Sequence, residues 1–261
     1  MAVPPQSYKF KFKGYFMKNI KLTIQYDGTN YHGWQTQDNA VTVQETLEKA
    51  LGKLLKCSPP RVTGCGRTDT GVHAKMYVCN FYAENTIPYE KFPMALNTKL
   101  PDDIICLSAQ EADDDFDSRY MAKKKTYSYY IKNSKFPDAF SKNYTWHFKY
   151  NLDIEEMKKA AEAFLGTHDF IGFAAAGFTV KTTVRTIYSL EIEKNGDIIG
   201  IHITGNGFLY NMVRIIAGTL AFVGTGKIDA QKLPDIIASR DRKRAGITAP
   251  PEGLFLSEVC Y

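Results

Sequence analysis

Residues 208–224 are almost wholly apolar, and Arg214 is the one charge among them. A helix that is apolar on every side is stable in water only inside a core. A bilayer span needs about 18 or more apolar residues in a row; the most apolar part, 212–224, is shorter and carries Arg214. The rest of the chain must therefore supply enough structure to surround this helix. Its 261 residues and 29.5 kDa suffice for one large domain, or for two of about 100–150 residues. Hydrophobic content of 44% and charged content of 23% argue against wholesale disorder.

Periodicity supplies that structure. Residues 19–26 alternate, with Ile20, Leu22, Ile24 and Tyr26 on one face of a strand. Asp27-Gly28 signals a turn. Thr42 and Glu45 have capping-box spacing before a helix with the stripe Val43, Leu47, Ala50, Leu51 and Leu54. Strands are expected over 61–65, 75–83 and 104–110, with a short helix over 89–98. A charged connector from Asp113 to Lys125 follows, then a tyrosine-rich strand over 126–132. Asp153 and Glu156 cap a second helix, with Ile154, Met157, Ala160, Ala161, Phe164 and Leu165 facing inward and Gly166 as its stop. Residues 186–194 and 198–204 flank Asn195-Gly196, the strongest short hairpin signal. A last strand is expected over 254–261. Strands and helices mix without strict βαβ alternation, so the expected class is α+β. We read an N-terminal extension over 1–18, expected to be disordered as termini commonly are, an N-terminal half over 19–112 and a C-terminal half over 113–261. Each half is expected to be a largely antiparallel sheet with helices on one face.

The N-terminus has no apolar core of a signal peptide. The five cysteines are scattered, without a CxxC pair, which fits neither a disulfide framework nor a zinc site. A reducing compartment, the cytoplasm, is the expectation. The net charge of +5 permits a polyanionic partner without requiring one.

The segment Gly64-Cys65-Gly66-Arg67-Thr68-Asp69-Thr70-Gly71-Val72-His73-Ala74 concentrates reactive groups between glycines. Glycine permits tight turns and close ligand approach. A phosphate-cradling loop is one reading, although the third glycine is misplaced and Arg67-Thr68 is not Lys-Ser/Thr. A cysteine nucleophile, Cys65 with His73, is a second, without an evident orienting group. A structural turn with a solvated Asp69 is the plain reading. A catalytic carboxylate beside an arginine is the fourth.

The wider pattern resembles the TruA-type tRNA pseudouridine synthases. Gly66-Arg67-Thr68-Asp69-x-Gly71-Val72-His73-Ala74 is similar to that family's catalytic loop. Tyr26-Asp27-Gly28-Thr29 with Gly33-Trp34-Gln35, Phe116-x-x-Arg119 with Lys125-x-Tyr127-x-Tyr129, Thr183-Val184-Arg185-Thr186-Ile187, and Gly207 to Gly218 with Met212-Val213-Arg214 resemble further motifs. Ala249-Pro250-x-Glu252-Gly253-Leu254 resembles its C-terminal segment. The likeness runs from about Asn19 to Tyr261, with the motifs in the family's order. Asp117 stands where many members have His, and Lys125-Thr126 where an Arg pair is frequent.

The resemblance implies a pseudouridine synthase fold with RRM- or ferredoxin-like halves and an active-site cleft between them. It implies isomerisation of uridine to pseudouridine at nucleotides 38, 39 and 40 of the tRNA anticodon stem-loop. No cofactor and no metal are implied, because no electron leaves and no water enters. Asp69 would be the catalytic carboxylate, and Arg214 would pair with it and hold its pKa down. Arg67 would help extrude the nucleotide, Tyr127 would stack on the flipped uracil, and Leu254 would line its pocket. Arg119, Lys123, Lys124 and Lys125 would contact RNA, with Arg240, Arg242, Lys243 and Arg244 as a second candidate cluster. The implied partners are tRNA and a second copy of the chain, with no membrane. A related synthase with another RNA target, a non-catalytic tRNA-binding protein and a Cys65 hydrolase are the alternatives.

Overall fold

A computed structural model of the chain describes residues 17–177 and 180–261. The N-terminal half runs β1 (Lys18–Tyr26), α1 (Val43–Leu55), β2 (Thr63–Gly64), β3 (His73–Ala83), α2 (Phe92–Asn97) and β4 (Ile104–Glu111). The C-terminal half runs β5 (Lys124–Asn133), β6 (Trp146–Phe148), α3 (Ile154–Glu162), β7 (Gly166–Asp169), β8 (Val184–Asn195), β9 (Ile198–Gly205), α4 (Met212–Gly224), α5 (Leu233–Ser239) and β10 (Leu254–Cys260). Lys18, read as the end of an extension, opens β1; residues 1–16 of that extension lie outside the described residues.

The mixed α+β class is as expected, but the two halves share one sheet. Its order is β4-β1-β3-β10-β5-β9-β8-β7, with β2 added on β3 and β6 on β5. The last strand closes the gap: β10 pairs parallel with β3 at Phe255 and His73, and antiparallel with β5 at Leu254 and Tyr129. Each half nevertheless has its own core. One surrounds Leu22, Leu47, Leu51, Tyr77 and Phe81; the other surrounds Tyr129, Phe164, Phe173, Ile201, Ile216 and Leu220. Tyr127 packs against both.

Local signals acted much as expected. The Thr42 hydroxyl accepts from the Glu45 N–H at 3.4 Å, and Asp153 accepts from the Glu155 and Glu156 N–H groups. β8 ends at Asn195, and Gly196 turns with φ +60. Three expectations need correction. α3 stops at Glu162, so Gly166 opens β7 with φ +91 and Leu165 faces solvent. α4 starts at Met212 because Asn211 adopts a left-handed conformation, φ +61, which ends any helical run from residue 208. The strand over 61–65 shrinks to β2.

Within α4 every residue except Arg214 and Phe222 is buried. Its packing is close enough to require glycine: a Cβ on Gly218 would stand 2.0 Å from the Ile247 carbonyl oxygen. The segment 245–249 is thereby seated directly on the helix that carries Arg214. Among the described residues, no helix is long and apolar enough to cross a membrane.

Candidate active site

The chain between β2 and β3 crosses the junction of the two halves and carries Asp69. It is tied down on several sides. The Tyr77 hydroxyl donates to the Gly66 carbonyl, and the buried Tyr26 and Thr68 hydroxyls share a 2.8 Å hydrogen bond. The Trp34 N–H donates to the Thr68 carbonyl at 3.2 Å, and the Gly71 N–H to the Tyr31 carbonyl at 3.2 Å. The Trp34 ring stacks on Tyr77 at 4.1 Å. From the other half, the Lys125 ammonium donates to the Cys65 carbonyl. These ties hold the backbone on both sides of Asp69, and they explain why the Tyr26-Asp27-Gly28 and Gly33-Trp34 motifs accompany the loop.

Gly33 packs directly against the backbone next to Asp69. Its φ is +82, and a Cβ there would lie 2.3 Å from the Thr68 carbonyl oxygen. Gly33→Ala is therefore expected to push the backbone next to Asp69 and to strain its own, at about 1–3 kcal/mol. A displacement near 1 Å at a reacting group costs roughly 10²-fold in rate. Turnover should fall by about that factor while a urea melt still shows a folded protein; unchanged turnover would show that the contact does not position Asp69.

Asp69 faces Arg214 of α4. The Arg214 Nη1 lies 3.4 Å from the Asp69 Oδ2, donates to the Asn211 Oδ1 at 2.7 Å, and the Nε donates to the Ala249 carbonyl at 2.7 Å. The left-handed Asn211 thus has a use, because its side chain orients the guanidinium. The pairing of Asp69 with Arg214 is present, but the electrostatic expectation is corrected. Burial pushes the Asp69 carboxyl up, and the Arg214 charge opposes that without reversing it, so the carboxyl sits above its ordinary value.

Tyr127 on β5 lies with its ring edge-on to Phe208, centroids 5.2 Å apart. Burial pushes its phenol well up, and the nearby Asp69 carboxylate adds to this. Tyr127 therefore keeps its proton across the accessible pH range and sits within the field of Asp69. Leu254 is buried in the C-terminal core at the start of β10. Arg67 is exposed and makes no ion pair with any described residue.

The basic residues divide differently from the expectation. Arg119, Lys123 and Lys124 are exposed. Lys125 is not a free phosphate contact: it is half-buried, its ammonium is used on the Cys65 carbonyl, and burial lowers its pKa. The second cluster is largely structural. Arg240 pairs with Asp169 at 2.7 Å, Arg242 donates to the Gly246 carbonyl and the Thr248 hydroxyl, and Arg244 donates to the Asp235 carbonyl. Arg242 in particular steadies the segment whose Ala249 carbonyl receives Arg214. The two family departures are also accounted for locally. Asp117 caps a turn by accepting from the Arg119 and Tyr120 N–H groups, and Thr126 bonds Thr204 across the strands at 2.9 Å.

Cys65 is fully buried, and burial pushes its thiol up to about 11. Such a thiol is a poor nucleophile at neutral pH. His73 does not serve it: the His73 Nδ1 accepts from the Gly28 N–H at 3.0 Å, and the ring stacks on Phe255. Among the described residues, no cluster of three or more His, Cys, Asp or Glu side chains could hold a metal ion.

The arrangement is a single carboxylate on a braced loop, opposed by one guanidinium and flanked by a protonated phenol. Comparison with known proteins identifies the family. The tRNA pseudouridine synthase family profile matches residues 22–121 and 160–261. A tRNA pseudouridine synthase A of Thermoanaerobacter sp. (strain X514) is 54% identical over 245 residues, which is 94% of this chain and 100% of that protein. Proteins of the same name from Acetivibrio thermocellus and Ruminiclostridium cellulolyticum are 54% and 51% identical, again over 94% of this chain and 100% of their own length. The braced loop around Asp69 and its partner Arg214 fall inside the matched segments, Tyr127 lies between them, and the chain belongs to the tRNA pseudouridine synthase family.

Proposed function

We propose that this chain isomerises uridine to pseudouridine in tRNA, at nucleotides 38, 39 and 40 of the anticodon stem-loop, with Asp69 as the catalytic carboxylate. The observation that carries the reading is the 3.4 Å approach of Arg214 to Asp69 across the junction of the two halves. A target base inside a stem must first be flipped out, at a few kcal/mol, which stacking and backbone contacts offset. Tyr127 offers the stacking face, Leu254 the apolar wall, and exposed Arg67 a cation free to grip the extruded strand. Arg119, Lys123 and Lys124 are the candidate phosphate contacts. Asp69 then engages the sugar as the C1′–N1 bond breaks. The uracil turns, C1′–C5 forms, the C5 proton leaves to solvent and N1 gains one. Glycosidases that admit water use two carboxylates; an isomerase must keep water out, so one suffices. We further propose that the enzyme works as a homodimer in the cytoplasm.

The released C5 proton gives the test. With tRNA transcribed from 5-³H-uridine, the wild-type protein is expected to release tritium. A folded protein that binds this tRNA without release would instead be a binding module or act on another RNA. Cys65→Ser is expected to leave release near wild type, since the thiol is buried and protonated; abolished release would place Cys65 in the reaction.

A further inference from the structure

Residues 134–145, between β5 and β6, form a loop that is firmly built yet displays aromatic rings to solvent. Its base is clamped by the parallel pairing of Ile131 with Trp146 and of Asn133 with Phe148. The Asn133 amide donates to the Phe148 and Tyr150 carbonyls at 2.9 and 2.7 Å. Inside the loop, the Ser134 hydroxyl donates to the Phe136 carbonyl and the Phe140 N–H to the Asp138 carboxylate. Its far end is docked on the N-terminal half, where the Tyr144 hydroxyl donates to the Asp27 Oδ2 at 2.7 Å. Asp27 Oδ1 is 3.1 Å from the Nδ1 of His73, the residue that ends the catalytic loop. The loop is therefore anchored beside the end of the segment that carries Asp69.

Against this order, Phe136 is 71% exposed and Phe140 92% exposed. Burying a phenylalanine is worth about 1.5–3 kcal/mol, so a fixed loop that holds two of them outward forgoes that stabilisation. The surroundings are cationic. The Lys135 ammonium sits 5.3 Å from the Phe136 ring centre, and Lys149 sits 5.2 Å from that of Tyr150. Lys135, Lys142 and Lys149 form no ion pair with described residues, and Asp138 is the one carboxylate between 134 and 150. Exposed rings interleaved with cations are the chemistry that stacks unpaired bases and tracks their phosphates. A second copy of the chain fits less well, because a two-fold interface here would set the three lysines against their own images.

We propose that residues 134–150 form a second RNA-contact surface, with Phe136 and Phe140 stacking on unpaired bases of the substrate and Lys135, Lys142 and Lys149 meeting its phosphates. The proposal rests on the synthase reading for the identity of the RNA. The test compares the full-length wild type with Phe136→Ala/Phe140→Ala and with Lys135→Gln/Lys142→Gln/Lys149→Gln, using one tRNA transcript. The aromatic variant is expected to raise Kd by roughly 10–100-fold, as stacking losses predict, while single-turnover tritium release at saturating tRNA stays at the wild-type rate. The lysine variant is expected to flatten the slope of log K against log salt by about 2. Phe140→Trp keeps a stacking face and should retain affinity, whereas Phe140→Ser should lose it. Unchanged Kd in both multiple variants overturns the proposal. So does a matching loss of self-association on sedimentation, which would make the loop an interface between copies. Absence of tritium release from wild type would sink the synthase reading alone; loss of tRNA affinity in the loop variants would still support the surface.

Discussion

Asp69→Asn is expected to lower tritium release by roughly 10⁴-fold or more, the scale on which removal of a nucleophile or base acts, with Kd for tRNA unchanged. Asparagine matches the carboxylate in shape and can still accept from Arg214, so the loop need not move. What it loses is the charge and the basic oxygen. The same substitution reports on the burial of the site. Because the folded carboxyl sits above its ordinary value of 3.8, the native state holds a proton that the unfolded chain has already released. In that window stability falls as pH rises. The wild type should therefore lose Tm relative to Asp69→Asn as pH climbs from 3.8 through the raised value, and the difference should level off above it. Equal losses of binding and turnover would make Asp69 structural, and parallel Tm curves would show that burial does not oppose its charge.

That electrostatic balance is what sequence reasoning could not reach. Arg214 stands out in the sequence as the lone charge of an apolar helix, and Asp69 as the carboxylate of a glycine-punctuated loop. Whether the pair lowers or raises the carboxyl depends on how much water is removed from it, and that is a property of Tyr127, Ala249 and the loop packed together. Local signals were legible for a similar reason: the Thr42 and Asp153 caps and the Asn195-Gly196 turn involve neighbours within a few residues. The place of β10 was not legible, since its partners His73 and Tyr129 are far away in sequence. Basic runs were the most misleading. Lys125 and Arg242 look like phosphate ligands as letters, but each meets a buried carbonyl whose position only the fold determines.

The two duties of Arg214, holding charge opposite Asp69 and holding the 249–254 segment in place, can be separated by a pair of substitutions. Arg214→Met removes the one described charge that opposes burial of Asp69, so the carboxyl should rise further. If the ionised form is the active one, the acid limb of kcat/KM then moves to higher pH, and the loss of rate is greatest at low pH. The plateau should also fall, by roughly 10²–10³-fold, because the Ala249 carbonyl and the Asn211 amide lose their donor and the site loosens. Leaving those acceptors unpaired costs about 1–3 kcal/mol each, which a urea melt would register without abolishing the fold. Arg214→Lys keeps the charge but cannot serve three acceptors with a planar fork. Its acid limb should stay near the wild-type position while its plateau drops. An unmoved limb in Arg214→Met, with a reduced plateau in both variants, would assign Arg214 to positioning alone and remove it from the electrostatics of Asp69.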